Sequence, residues 1–461
     1  MNKNQITIDN SAEIPSAEYH DPSTFNFPTN LEGKFLFYIA ISFSVFQVVT
    51  AAHLLDLPSQ VLRAVHVGFL GLLALPLVCA LKKQNVFFKI ISWIGGILCF
   101  SIALYQTFQY EALLIRTSDL LLMDVVFGVT AVILVFIAAW LVMGYALSLI
   151  AGIFLLYCFF GNYLTGMLQH RGYDFKQIVE HMSYGTEGIY GIPTYVSCTF
   201  VFLFILFGSF LERAGMIKLF NDVALGLFGH TRGGPAQVCV ASSALMGTIS
   251  GSGIANVVTS GQFTIPLMKK YGYSPAFAGG VEATSSMGGQ IMPPVMGAVA
   301  FIMAETLGVK YVEIVKAAII PAILYYISCW WMVYLEAGKK KLLGISKDQL
   351  PSALNAIKSG WYLTIPLVIL VYLLFSGYTP LYAGTIGLAF VIFLILGAPI
   401  AGKLSNYKKV LFWIILGLVS ASFFEIGIKV IVASISTLVL INFIFRGGRS
   451  EEHTSELQSH H

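Results

Sequence analysis

Charge is scarce in this chain. Only 11% of its 461 residues are Asp, Glu, Lys or Arg, against about 25% in ordinary soluble domains. Mean hydropathy is +0.79, and 57% of residues are hydrophobic. These values exclude a soluble globular class and describe an all-α polytopic membrane protein. No basic domain stands out at a net charge of +4, so nucleic acid is not an expected partner. There is no GxxxxGK[ST], hence no signature of ATP hydrolysis. HExxH and GxSxG are also missing, which argues against an intramembrane enzyme. No arginine ladder marks a voltage sensor. No repeated polar ring marks a channel pore. The six cysteines have neither CxxC nor metal-ligand spacing and read as small core hydrophobes. His170 and His181 lack a third ligand type nearby, so no metal centre is expected and no cofactor is implied.

What is present is a succession of apolar runs. About 20 such residues cross a bilayer. Candidate spans are Phe35–Ala52, Val61–Leu81, Val86–Phe108, Leu120–Trp140, Leu141–Phe160, Ile192–Leu211, Tyr311–Tyr334, Trp361–Ser376, Leu381–Ile400, Val410–Phe424 and Ile428–Phe445. The polar loop 161–191 carries Arg171, Asp174, Lys176, Glu180, His181 and Glu187. It reads as a solvated loop or as a dock for an external partner. Met216–Leu227 sets Met216, Phe220, Val223 and Leu227 against Lys218, Asn221 and Asp222, the pattern of an interfacial helix. The first 34 residues lack the basic-then-apolar form of a signal peptide and read as a tail. Lys and Arg then bias one face, with Lys34, Lys82, Lys83, Lys89, Lys339–Lys341 and Lys408 together. That places the N terminus in the cytoplasm. The bias is obtained with residues 238–268 entering and returning as a re-entrant hairpin and 275–307 crossing once, and it supports that arrangement.

Those two stretches are each broken by small and polar residues. Irregular backbone at membrane depth is tolerated only where protein covers it or a cavity needs it. The first break runs Gly247-Thr248-Ile249-Ser250-Gly251-Ser252-Gly253-Ile254-Ala255-Asn256, with Thr259, Ser260 and Gly261 just beyond. Free carbonyls with the oxygens of Thr248, Ser250, Ser252, Asn256 and Thr259 suit a hard cation, with Na⁺ at Ser250, Ser252 and Asn256 the specific expectation. Close packing of small residues is the alternative. The second break is Ser285-Ser286-Met287-Gly288-Gly289-Gln290-Ile291-Met292-Pro293-Pro294, with Gly288–Pro294 its core. Its prolines remove two donors and leave preceding carbonyls free. A simple proline kink is the alternative. Glu282, an intramembrane carboxylate, is a functional candidate by default. It could relay protons or pair with Lys269 or Lys270.

Longer motifs carry a resemblance. GTEGIYGIP (Gly185–Pro193), FLFILFGSFLERAG (Phe202–Gly215), RGGPAQV (Arg232–Val238), GTISGSGIANVVTSGQFTIPLMKKYGY (Gly247–Tyr273) and FAGGVEATSSMGGQIMPPVMGAVAFIMAE (Phe277–Glu305) resemble the tripartite ATP-independent periplasmic (TRAP) transporters. The match is to permeases with fused small and large membrane subunits, in the branch served by TAXI-type binding proteins. The resemblance implies a small-subunit-like scaffold over 35–140 and a large-subunit-like transport region over 141–445. It implies an elevator-type, ion-coupled mechanism in the bacterial inner membrane. The hairpin tip (Thr248, Ser250, Gly251, Ser252, Asn256, Thr259) and the unwound helix (Gly288, Gly289, Gln290, Pro293, Pro294) would bind the coupling ion and substrate. Na⁺ is the expected ion, with H⁺ open. A periplasmic binding protein would deliver a small organic acid, since helix N-termini at the breaks favour an anion. A stand-alone symporter and an ion channel are the alternatives. Only the first inverted repeat is found. The polar tail 446–461 resembles a translated sequencing adapter, so the natural chain is expected to continue past Phe445.

Overall fold

The computed structural model describes residues 30–82, 85–116, 119–402, 404–421, 433–439 and 441. Most of the N-terminal tail, Lys83, much of the last expected span and the tail 446–461 lie outside the described residues. Every described element is helical. Nine helices among the described residues are long and apolar enough to cross a membrane. In lipid a helix satisfies its own backbone polar groups, which is why apolar runs fold this way.

The chain packs as two compact units. One comprises 23–202 with Glu305–Leu307; the other comprises Leu203–Ala304 and the chain from Gly308 on. The boundary falls inside the apolar stretch Ile192–Phe228.

The first unit holds α1 (Leu31–Ala51), α2 (Ser59–Leu81), α3 (Val86–Phe108), α4 (Leu122–Met143) and α5 (Tyr145–Phe160). Gly144, at φ 92°, makes the sharp turn between α4 and α5; few residues other than glycine adopt that conformation cheaply. Loop 161–191 is less solvated than its composition suggests. It folds an amphipathic helix, α6 (Phe175–Ser183), that buries Ile178, Val179 and Ser183. The Ser183 hydroxyl donates to the Gly128 carbonyl of α4 at 2.8 Å, and Tyr184 donates to the Asp124 carbonyl at 2.6 Å. Burial pushes the Tyr184 phenol above its ordinary range. Asp124 is itself fully buried, accepts from the Leu121 amide at 2.8 Å and lies 3.7 Å from the Arg116 guanidinium.

In the second unit, α7 (Ile217–Phe228) differs from the expected interfacial helix. Leu219, Phe220, Asn221, Ala224 and Leu225 are buried, while Leu227 is half exposed. Asn221 thus sits inside, not on a polar face. The reason is that α7 is packed on more than one side. At Gly226 a Cβ would stand 2.7 Å from the Ala353 amide. Ala353 opens a helix (Ala353–Gly360) inside the polar stretch 336–360.

Five further helices frame the two breaks. They are α8 (Gly234–Ser250), α9 (Gly253–Lys270), α10 (Pro275–Met287), α11 (Ala298–Leu307) and α12 (Tyr311–Lys339). The hairpin expected over 238–268 is the pair α8 and α9. The broken helix expected over 275–307 is α10, a short turn Gly288–Gln290, an irregular segment 291–297 and α11.

Candidate functional site

The site grows from the hairpin tip. Helix α8 ends at Gly251, whose φ of 58° is left-handed. The Ser252 hydroxyl then caps α9 by accepting from the Ala255 amide at 3.3 Å, the ordinary role of serine at a helix start. Glycine at 251 answers a second demand. A Cβ there would lie 1.9 Å from the Met296 carbonyl oxygen, so the tip presses directly on the irregular segment of the broken helix. Next along, a Cβ on Gly253 would stand 2.6 Å from the Met287 sulfur.

Behind the tip lies a buried polar interior. Asn256 is fully buried. Its Nδ2 donates to the Ser243 carbonyl at 3.0 Å, while its Oδ1 has no protein partner. The hydroxyls of Ser243, Ser250 and Ser285 are likewise buried without a partner. Unpaired buried oxygens are uncommon, because each costs about 1–3 kcal/mol. Ser243, Asn256 and Gly289 are neighbours: a Cβ on Gly289 would be 3.6 Å from Asn256 Nδ2. Uncharged oxygens of this kind are the donors a hard cation takes.

The broken helix is held from outside. Tyr325 on α12 donates to the Thr284 carbonyl at 2.7 Å, and Tyr326 donates to the Ser285 carbonyl at 3.1 Å. Past the break, Tyr311 donates to the carbonyls of Pro294 and Val295 at 2.9 and 2.7 Å. The Pro293–Pro294 peptide is cis. Gln290 is exposed, and its carbonyl accepts from the Gly297 amide at 2.8 Å.

Glu282 is fully buried on α10. Its carboxyl accepts from the hydroxyls of Ser260 and Thr264 on α9. It also accepts from Ser286 at 2.8 Å and from the Cys239 thiol of α8 at 3.0 Å. The lysine contact considered from sequence gives way to this neutral cage. Lys269 and Lys270 sit at the C-terminal end of α9, past Thr264 of the cage.

The expected residues therefore divide. Asn256 and Ser250 present unpartnered oxygens, and Gly251 and Gly289 allow close approach. Ser252 is occupied as a cap. Thr248 and Thr259 donate back along their own helices, to Leu245 at 2.6 Å and Ala255 at 3.0 Å. Ser285 and Ser286 open the second break as read from the sequence, whereas Ser243, Thr264, Tyr325 and Tyr326 were not singled out and Cys239 read only as a core hydrophobe. A signal existed in the four-residue spacing of Cys239 with Ser243, Ser260 with Thr264, and Glu282 with Ser286, which puts each pair on one helix face.

Long apolar helices, a glycine-tipped hairpin and a broken helix packed on it are the features from which membrane transporters build midplane sites. A family model for the tripartite ATP-independent periplasmic transporter, DctM component, matches residues 130–447. The chain belongs to this family. It is 29% identical over 209 residues to the C4-dicarboxylate TRAP transporter large permease protein DctM of Pseudomonas aeruginosa, covering 45% of this chain and 48% of that protein. It is 27% identical to the sialic acid TRAP transporter large permease protein SiaM of Vibrio cholerae, covering 41% and 44%. Its identity to the 2,3-diketo-L-gulonate TRAP transporter large permease protein YiaN of Escherichia coli is 25%, covering 41% and 44%. The matches thus span about half the length of these curated relatives.

Proposed function

We propose that the chain is the permease of an ion-gradient-driven importer in the bacterial inner membrane, with its N terminus cytoplasmic. It carries transport and no enzymatic step. A periplasmic binding protein of the TAXI type hands it a small organic acid, a carboxylate. The relatives named for C4-dicarboxylate, sialic acid and diketogulonate support an acid as substrate. The mechanism is of the elevator type, with the hairpin and broken helix moving as one body. Na⁺ is the coupling ion, held near the hairpin tip by Asn256 with Ser243, Ser250 and Ser285. The supporting observation is the unpartnered Oδ1 of fully buried Asn256, beside the break at Gly288–Gln290. A cation beside it would satisfy an oxygen that otherwise costs stability.

The test is uptake of a labelled C4-dicarboxylate by the full-length protein in proteoliposomes, with its binding protein supplied. Asn256→Ala and Ser250→Ala should each abolish Na⁺-driven uptake while leaving expression and folding intact. Wild-type uptake in both variants would falsify the tip assignment.

A further inference from the structure

We infer that the first unit carries a separate binding site for a primary ammonium group, in a cavity beside the loop helix α6. An ethanolamine-type lipid headgroup or a small free amine supplies that group. The site is independent of the hairpin tip and of the ion proposed there.

The cavity measures about 60 Å³ and lies wholly within residues 23–202. One water needs about 10–15 Å³, so the space takes a few waters or one small polar group. Its walls include Gln60 of α2, Gln106 in the last turn of α3, Tyr110 and Leu114 of the short helix Tyr110–Ile115, Glu180 of α6, and Tyr184 just past α6.

Gln106 is only 4% exposed. Its Nε2 donates to the Ser183 carbonyl and to the Tyr190 hydroxyl, each at 3.1 Å. A carbonyl only accepts, so the nitrogen must face Ser183, and the two ends of the amide are fixed by chemistry. The oxygen is the end left over. It is buried without a protein partner, a state that folded proteins seldom leave unanswered.

Glu180 adds charge. Among the described residues no cation pairs with its carboxyl. Arg116 turns to Asp124 at 3.7 Å, and Lys176 turns to Asp119 at 3.4 Å. No lysine, arginine or histidine lines the cavity. The Nε2 of Gln60 is engaged on the Tyr184 carbonyl. The groups left over are therefore chiefly acceptors, one of them charged. An anion finds little to hold it here, and a positively charged donor finds a carboxylate and a bare amide oxygen.

The walls choose between a metal ion and an ammonium. A hard metal ion takes about six or more oxygens. This cavity offers fewer, and adds hydrocarbon and the Tyr110 ring, whose face attracts organic cations. A primary ammonium donates three hydrogen bonds and brings a short carbon chain that suits such walls. Leu114 lines the cavity and is itself exposed, as are Phe108 and Ile115 near it in the chain. These apolar side chains at the end of a membrane helix are where a lipid's acyl chains lie while its headgroup turns inward. An ammonium held between Gln106 of α3 and Glu180 of α6 would pin the loop helix to the membrane helices.

The experiment follows melting temperature, and proteolysis within 161–191, on the full-length protein in detergent. Phosphatidylethanolamine, phosphatidylglycerol and phosphatidylcholine are added as mixed micelles. Ethanolamine, choline and KCl are the soluble probes, at equal ionic strength. Phosphatidylethanolamine should raise the melting temperature and slow cleavage several-fold. The other two lipids lack a primary ammonium and should do neither. Glu180→Gln, at a part-exposed position that tolerates exchange, should weaken the apparent affinity about tenfold or more, the worth of one charged hydrogen bond. Gln106→Met, which removes the amide oxygen, should do the same. A response to phosphatidylethanolamine but not to ethanolamine supports the site and identifies the lipid as its occupant; the reverse supports it with a soluble amine. An equal response to phosphatidylglycerol or choline overturns the inference, as does an amine response untouched by Glu180→Gln. No response to either amine also overturns it and leaves the cavity to water.

Discussion

Gly247 and Gly289 meet backbone to backbone: a Cβ on Gly247 would lie 2.6 Å from the Gly289 Cα. The hairpin and the broken helix touch at this point with no side chain between them. We predict that Gly247→Ala forces them apart and lowers apparent Na⁺ affinity at least tenfold. Overpacking of this kind costs about 1–3 kcal/mol. A Na⁺ titration of thermal stability checks it; an unchanged midpoint would show that the contact does not shape the site.

Gly251→Ala meets two penalties. The left-handed conformation costs a side chain about 1–2 kcal/mol, and the new methyl would strike the Met296 carbonyl. The expected outcome is a folded protein with a lower melting temperature and no Na⁺-driven uptake. Uptake at wild-type rates would show that the tip relaxes freely.

The Asn256 amide can be split by substitution. Asn256→Asp keeps the oxygen but loses the donor to the Ser243 carbonyl. Without cation it should be destabilised by about 1–3 kcal/mol, for an unpaired buried acceptor with added charge. Saturating Na⁺ should recover much of that loss. Equal melting curves with and without Na⁺ would remove Asn256 from the ligand set.

Around Glu282, Thr264→Val removes one hydroxyl of similar shape, whereas Thr264→Ser retains it. The valine variant should lose about 1–3 kcal/mol, and the serine variant should lie close to wild type. Denaturation of the two side by side checks this. Equal losses would mean packing, not hydrogen bonding, sets the role of Thr264.

Outside that unit, Ser183→Ala removes the hydroxyl bond to Gly128. The loop helix Phe175–Ser183 should undock more often, and proteolysis within 161–191 should accelerate several-fold. A Cβ at Gly128 would stand 2.5 Å from Val179 Cγ1, so Gly128→Leu should do the same more strongly. Unchanged cleavage in both would place the exposed step elsewhere.

Much of this was legible in sequence, for identifiable reasons. Span α3 was bounded correctly because apolar runs in lipid have one solution. The hairpin was legible because Gly251 and Ser252 are cap residues in the middle of an apolar stretch. The surroundings of Glu282 were not. They depend on which faces of α8, α9 and α10 meet, and hydropathy reports how apolar a face is, not which helix it touches. Asn221 shows the same limit: a polar residue on a periodic helix reads as solvent-facing until a second helix covers it. The loop helix escaped because its docking partners, Gly128 and Asp124, are 55 and 60 residues away in the chain.

The two tyrosines of α12 have one more implication. By holding the Thr284 and Ser285 carbonyls, they brace the last turn of α10, just before the unwound turn, from a neighbouring helix. A cation arriving there meets a frame already set, with little ordering left to do. Such a site selects by fit. It should accept Li⁺ or K⁺ poorly, because a braced frame cannot shrink or swell to the ionic radius it meets. Loosening the brace with Tyr325→Phe and Tyr326→Phe should blur that preference before it weakens binding.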